Sequence, residues 1–134
     1  MRTGFEKSRL GAVAAVGAAA LLAAPAPGHA AAMSGHCFAA NQWQGWSAPN
    51  PSEILIRVNL HDIYRLELTA PTPELQFPDV HLDTVFEGSD WVCTPLDLQM
   101  WVSDQQGFRE PLIVKSITEL SRSEAAAIPP KYRP

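Results

Sequence analysis

Alternation of apolar and polar residues marks two adjacent strands in the middle of the chain. The first run is Glu53–Leu60 and the second is Ile63–Thr69. The apolar residues that recur at every second position are Ile54, Ile56, Val58, Leu60, Tyr64, Leu66 and Leu68. Because successive side chains of a strand point to opposite faces, this pattern predicts two half-buried strands. Turn-forming residues at 59–62 join the runs, so we expect a hairpin.

Three later segments are also predicted to be strands. Val80–Phe86 alternates weakly and fits a short edge strand, and Leu112–Ile117 is a β-branched run that fits the last strand. Trp91–Val102 fits one long or bent strand that is interrupted near Pro95. The second half of that strand places four apolar residues on one face: Leu96, Leu98, Met100 and Val102.

The C-terminal part carries a specific helix-start pattern. Ser121 can cap the backbone N–H of Glu124, while the Glu124 side chain reaches back to the N–H of Ser121. Leu120 and Ala125 are spaced to form the accompanying apolar contact. A proline pair at 129–130 ends the predicted helix.

These elements predict a mainly β, small α+β fold with one short C-terminal helix. Short turns between alternating strands favour antiparallel pairing, in a curved sheet or a small barrel. We expect one domain over residues 53–129, preceded by an irregular lead-in at 33–52 and followed by a loose tail at 130–134.

Residues 1–32 have the order of a signal peptide. Basic residues lie within positions 2–9, an apolar run covers positions 10–24, and small residues end the segment. The apolar run is shorter than the roughly 20 residues that cross a membrane. Cleavage after Ala30 or Ala32 would then deliver the protein to the periplasm or the exterior, with no membrane-spanning segment left after cleavage.

Both cysteines, Cys37 and Cys93, follow this segment. Two thiols in a small exported domain favour a disulfide bond. Closing the intervening loop would stabilise the fold by about 4 kcal/mol in the chain-entropy account. The alternative is a reactive or metal-binding thiol, for which His36 beside Cys37 is weak support.

Charge narrows the class of partner. From Ala31 onward, seven Lys and Arg residues face thirteen Asp and Glu residues. Nucleic acids and anionic membrane surfaces require basic patches. The composition therefore argues against both as partners.

Three polar residues between positions 79 and 83 are of types that bind metal ions. On a strand, Asp79, His81 and Asp83 would share one face and offer oxygen and nitrogen ligands to a divalent ion. The competing interpretation is an exposed edge strand, with Val80 and Leu82 turned inward.

No residue pattern predicts catalysis. His61 and Asp62 could form an acid–base pair, although such residues on a turn usually satisfy backbone groups. Motifs for serine hydrolases, zinc proteases, phosphate loops and dinucleotide binding are missing from the sequence. The sequence therefore favours a non-catalytic protein without a cofactor over a hydrolase or a redox enzyme.

The four tryptophans are many for a small domain. Trp91 would share a strand face with Cys93 and pack against a disulfide there. Trp101 falls on the polar face of its strand, and with Trp43 or Trp46 it could form an aromatic surface for a sugar or a peptide.

Several segments match a known pattern in order and spacing. They are Cys37-Phe38, Tyr64-Arg65-Leu66-Glu67-Leu68, Trp91-Val92-Cys93-Thr94-Pro95-Leu96-Asp97-Leu98, Ile113-Val114, and Ile117-Thr118-Glu119-Leu120-Ser121 with Glu124. Through them the chain resembles a bacterial family of small exported proteins, domain of unknown function 6491. The resemblance implies two further cysteines near Thr72 and Leu112, both missing here. Their joint loss implies that they pair with each other, which leaves Cys37 to Cys93. The resemblance implies no activity.

We therefore predict a non-catalytic envelope protein that binds another envelope protein or a cell-wall component through Trp43, Trp46 and Trp101. The alternative is a small-ligand or divalent-metal binding protein that uses Asp79, His81 and Asp83.

Overall fold

The computed structural model describes residues 37–134, and these form nine strands, one α-helix and four short 3-10 turns. The strands are β1 (Phe38–Ala39), β2 (Trp43–Asn50), β3 (Glu53–Val58), β4 (Asp62–Leu68), β5 (His81–Phe86), β6 (Trp91–Val92), β7 (Leu98–Ser103), β8 (Arg109–Leu112) and β9 (Val114–Glu119), and the helix is α1 (Arg122–Ala127). The predicted signal peptide lies outside the described residues.

All strand pairs are antiparallel and form three sheets. The largest has the order β2-β3-β4-β9, the second β5-β7-β8, and the third is the pair β1-β6. The predicted mainly β fold with one short C-terminal helix is confirmed. The strands are divided among these sheets rather than joined in one curved sheet, and the chain passes from β8 to β9 across Ile113.

The predicted hairpin is the pair β3 and β4. Ile56 faces Tyr64 and Ile54 faces Leu66, and all four side chains are buried. Asn59 has a φ of 55°, a left-handed conformation that asparagine tolerates better than most residues. Leu60 was expected to point inward, but it lies beyond the end of β3 in the turn and is 72% exposed.

One apolar core is shared by the four-stranded and three-stranded sheets. Its buried members are Phe38, Ile54, Ile56, Val58, Tyr64, Leu66, Leu68, Leu75, Val92, Leu98, Met100, Val102, Leu112 and Val114. Burial of this apolar surface is the main term that favours folding.

Helix α1 covers the other face of the four-stranded sheet. Leu55 falls on the opposite face from Ile54 and Ile56, and it is buried there against Leu120 and Ile128. The predicted capping pattern is confirmed, because the N–H of Ser121 donates to Glu124 and the N–H of Glu124 donates to the Ser121 hydroxyl. The apolar contact is confirmed as well, since Ala125 packs against the same cluster.

The lead-in at 33–52 is not irregular where it is described. Residues 43–50 form β2, because Trp46 pairs with Ile56 and gives the segment a partner strand. The tail is not loose either. It forms a 3-10 turn at Pro130–Tyr132, and the carbonyl of Tyr132 accepts a hydrogen bond from the hydroxyl of Ser47.

Two predicted strands are each divided. Trp91–Val102 is interrupted near Pro95 as expected, by the 3-10 turn Pro95–Asp97 between β6 and β7. The predicted last strand at Leu112–Ile117 is split at Ile113 between β8 and β9, which belong to different sheets.

The predicted disulfide joins Cys37 to Cys93, with Cα atoms 4.3 Å apart. It lies beside the short ladder between β1 and β6, where Phe38 faces Val92. No helix within residues 37–134 is long and apolar enough to cross a membrane.

Candidate functional site

An apolar depression lies where the 3-10 turn Pro95–Asp97 meets strands β7 and β8. Its volume is about 340 Å³. We call it the Trp101 groove, and its lining residues are Pro95, Leu96, Leu98, Gln99, Met100, Trp101, Pro111, Leu112, Ile113 and Val114. Two of the most exposed apolar side chains among the described residues belong to it, since Leu96 is 86% and Ile113 is 64% exposed.

The first wall of the groove is the turn that carries Leu96. The Asp97 carboxylate accepts hydrogen bonds from the backbone N–H groups of Cys93, at 3.0 Å, and Thr94, at 2.7 Å. These bonds lower the pKa of Asp97 below its usual value, and the Cys93 bond contributes most. The turn is thereby fixed, and it leaves Leu96 exposed.

The second wall is the bend between β8 and β9. Leu112 and Val114 are buried on either side of Ile113, so alternation turns Ile113 outward. The carbonyl of Ile113 accepts a hydrogen bond of 2.8 Å from the N–H of Thr69. This bond holds the bend against the chain that leaves β4.

The central side chain is Trp101, on the outer face of the three-stranded sheet. The Arg109 guanidinium lies 4.4 Å from the centre of the indole ring. Asp83, opposite Trp101 on β5, accepts a 2.7 Å hydrogen bond from the hydroxyl of Ser103 and lies 3.7 Å from Nε of Arg109. The Arg109 guanidinium therefore covers one face of the indole.

Apart from Trp101, whose indole carries an N–H, Gln99 is the one lining residue with a polar side chain. Its Nε2 donates a 2.6 Å hydrogen bond to the carboxylate of Glu87. None of the ten lining residues carries an ionisable side chain. The groove is therefore suited to binding, and it offers no nucleophile and no general acid or base.

The predicted metal ligands are not assembled at one point. His81 Nε2 lies 3.6 Å from the Asp83 carboxylate, but Asp79 precedes β5 in a turn. Within the described part of the chain, no three His, Cys, Asp or Glu side chains are grouped so that they could hold a metal ion. Val80 and Leu82 pack against the core, as the competing edge-strand interpretation expects.

The predicted aromatic residues do not form one surface. Trp43 and Trp46 pack against the core from β2, and the rings of Trp43 and Phe86 meet at 6.5 Å. Together with Ala40, Leu82 and Thr84 they line a second cavity of about 240 Å³. Trp101 pairs with Asp83 on the outer face of the other sheet.

The other residues singled out from the sequence are Trp91 on β6 and the pair His61–Asp62 at the β3–β4 turn. Trp91 shares β6 with Val92, and its side chain is 55% exposed. His61 is exposed in the β3–β4 turn, while the Asp62 carboxylate accepts a 3.3 Å hydrogen bond from Asn59. This bond agrees with the turn interpretation of the His61–Asp62 pair.

Sequence reasoning identified Trp101 but missed Leu96 and Ile113. Leu96 was expected on the buried face, because alternation was continued through Pro95. The available clue was Thr94-Pro95-Leu96-Asp97, in which the residue before a proline is biased toward extended backbone and an acidic residue follows at capping distance. Nothing in the sequence alone brings Ile113 to the same place.

Comparison with known proteins gives no homologue. No family model matches the chain, and searches of curated proteins and of solved structures returned no significant match.

Proposed function

We propose that this protein is an exported, non-catalytic binding domain that holds an apolar segment of another protein in the Trp101 groove. The observation that carries the proposal is the exposure of Leu96 and Ile113, which line the same groove as Trp101. Contiguous exposed apolar surface on a soluble domain is typical of interaction sites.

The lining favours a peptide over a cell-wall sugar. Arg109 occupies one face of the Trp101 indole, so a sugar ring has at most one face on which to stack. The surrounding side chains are aliphatic or proline, apart from Gln99 and Met100. Such a surface suits leucine-like or aromatic anchors of a protein partner.

Export is supported by two independent features. The N-terminal residues have the order of a signal peptide, and a structural bond such as Cys37–Cys93 is typical of an oxidising compartment. We also propose that the chain belongs to the family of domain of unknown function 6491, because the matching segments occur in the same order.

A second candidate is a small uncharged ligand in the cavity between β2 and β5. The aromatic rings of Trp43, Trp46 and Phe86 line that cavity together with Leu82 and Thr84. No charged side chain lines it, so the ligand would be neutral.

The proposal is tested by selecting peptides from a displayed random library. We expect the wild type to enrich sequences with apolar anchors, and the double variant Leu96→Ser/Ile113→Ser to lose them. Both side chains are largely exposed, so the double variant should fold with little change in stability.

The matched control is Leu60→Ser. Leu60 is 72% exposed but lies in the β3–β4 turn, outside the Trp101 groove. It should retain the enriched peptides. Equal enrichment by the wild type and the double variant would contradict the proposal, as would no enrichment by the wild type.

A further inference from the structure

Charge is distributed very unevenly along the described chain. Between residues 74 and 110 the only Lys or Arg is Arg109, while eight carboxylates fall in the same span. These carboxylates are Glu74, Asp79, Asp83, Glu87, Asp90, Asp97, Asp104 and Glu110. The remaining described residues carry five carboxylates and six Lys or Arg side chains. The segment that contains β5, β6 and β7 with their connecting turns is therefore the acidic part of the described chain.

This acidity reaches the rim of the Trp101 groove. Glu87 is exposed and binds Gln99, which lines the groove, and Asp83 lies opposite Trp101. The one nearby arginine, Arg109, is already engaged by Asp83 and the indole ring. Asp83 also lies 3.6 Å from His81 Nε2 and is therefore already paired, whereas Glu87 makes no ion pair among the described residues.

We infer that the groove takes a cationic peptide segment, in which apolar anchors fill the groove and a flanking Lys or Arg side chain meets Glu87. This inference rests on the proposed function and specifies its partner. Complementary charge at the rim of an apolar patch speeds association and rejects partners of the wrong charge.

The same charges argue against a second copy as the occupant. A symmetric dimer places the same face of each copy against the other, which would bring the acidic rims together. Addition of a strand at the β8 edge is also disfavoured, because Pro111 removes one N–H from that short strand. We therefore expect the partner to bind by inserting side chains into the Trp101 groove.

The test uses three synthetic peptides with identical apolar residues and with Lys, Ser or Glu at the flanking positions. Calorimetric titration at low salt should give the tightest binding for the Lys peptide and the weakest for the Glu peptide. Added salt should reduce the difference, because the rim charges are exposed to solvent.

Two charge variants provide matched probes of the rim. In Glu87→Gln the lost carboxylate neighbours the groove, whereas in Glu67→Gln it lies in the four-stranded sheet. Each carboxylate is exposed and accepts one side-chain hydrogen bond from a neighbouring strand. We expect Glu87→Gln to weaken the Lys peptide about two- to fivefold and Glu67→Gln to leave it unchanged.

The outcomes separate the inference from the proposed function. If the Ser peptide binds as tightly as the Lys peptide, the partner is not cationic, and the groove remains a binding site. If the Lys peptide binds equally well to Leu96→Ser/Ile113→Ser, the attraction is unspecific and the inference fails. A groove-dependent dimer in native mass spectrometry would also overturn it, in favour of a second copy. If neither the three peptides nor the displayed library binds, the proposed function itself fails.

Discussion

Two carboxylates each fix one turn of the backbone at the scale of single residues. Glu124 binds the hydroxyl and the N–H of Ser121, and these bonds lower its pKa, with the hydroxyl bond contributing most. The Asp97 carboxylate likewise accepts two backbone hydrogen bonds, from Cys93 and Thr94, in the turn that carries Leu96. The residues are alike in chemistry, yet only Glu124 was predicted, because its partner residues directly precede an alanine-rich helix.

Acid should therefore weaken the fold through both residues. A carboxylate whose folded-state pKa is lowered contributes stability above its unfolded pKa, and this contribution is lost as pH falls through the folded value. The loss should begin below the usual Glu value of 4.5 and Asp value of 3.8. The double variant Glu124→Gln/Asp97→Asn should lose less stability than the wild type over this pH range. Urea unfolding at a series of pH values measures it, and parallel curves would contradict the assignment.

Tyr64 should weaken the fold at the opposite end of the pH scale. Burial raises its pKa to about 12, and the carboxylates of Glu119 and Asp62 add to the shift. Because the unfolded side chain ionises near 10.0, stability should fall as pH rises from 10.0 toward 12. Tyr64→Phe should remove most of this alkaline loss, as followed by urea unfolding. An unchanged loss in that variant would show that another group is responsible.

Among the elements, those with local patterns could be predicted and those held by distant contacts could not. The β3–β4 hairpin alternates over its whole length, and α1 carries its own cap. Strand β2 contains Gly45 and Pro49, residues that are unfavourable in strands, and it forms because β3 supplies a partner. The groove could not be predicted for the same reason, because its lining residues come from two separate segments, 95–101 and 111–114, that meet only in the folded chain.

The disulfide is the element-scale feature with the largest expected effect. It ties β1, which has only two ladder pairs, to the rest of the described chain. Cys37→Ser/Cys93→Ser should lower the free energy of unfolding by about 4 kcal/mol, because the unfolded chain is no longer constrained. Urea unfolding of this variant should match that of the reduced wild type. A difference below about 1 kcal/mol from the oxidised wild type would contradict the expected contribution.

At the scale of the whole molecule, two sheets share one core and differ in what covers their outer faces. The four-stranded sheet is covered by α1 and the tail, whereas the outer face of the three-stranded sheet carries Trp101, Arg109 and Asp83. The outer face of the three-stranded sheet is available for binding because the helix and the tail cover the four-stranded sheet instead. Sequence patterns predicted the helix but not the surface that it leaves open.

The proposed export leads to a prediction for the mass of the intact chain. Protein recovered from the periplasm should have the mass expected for cleavage after Ala30 or Ala32, less two hydrogens for the Cys37–Cys93 bond. Denaturing, non-reducing mass spectrometry measures both at once. A full-length mass would contradict the predicted signal peptide.

Mapping of amide chemical shifts would show whether binding takes place in the Trp101 groove. The Lys peptide should be titrated into isotope-labelled protein. We predict shift changes concentrated at residues 96–101 and 112–114, with little change at Trp43, Trp46 and Phe86. Changes centred instead on those three aromatic residues would place the site in the cavity between β2 and β5 and rule out binding in the Trp101 groove.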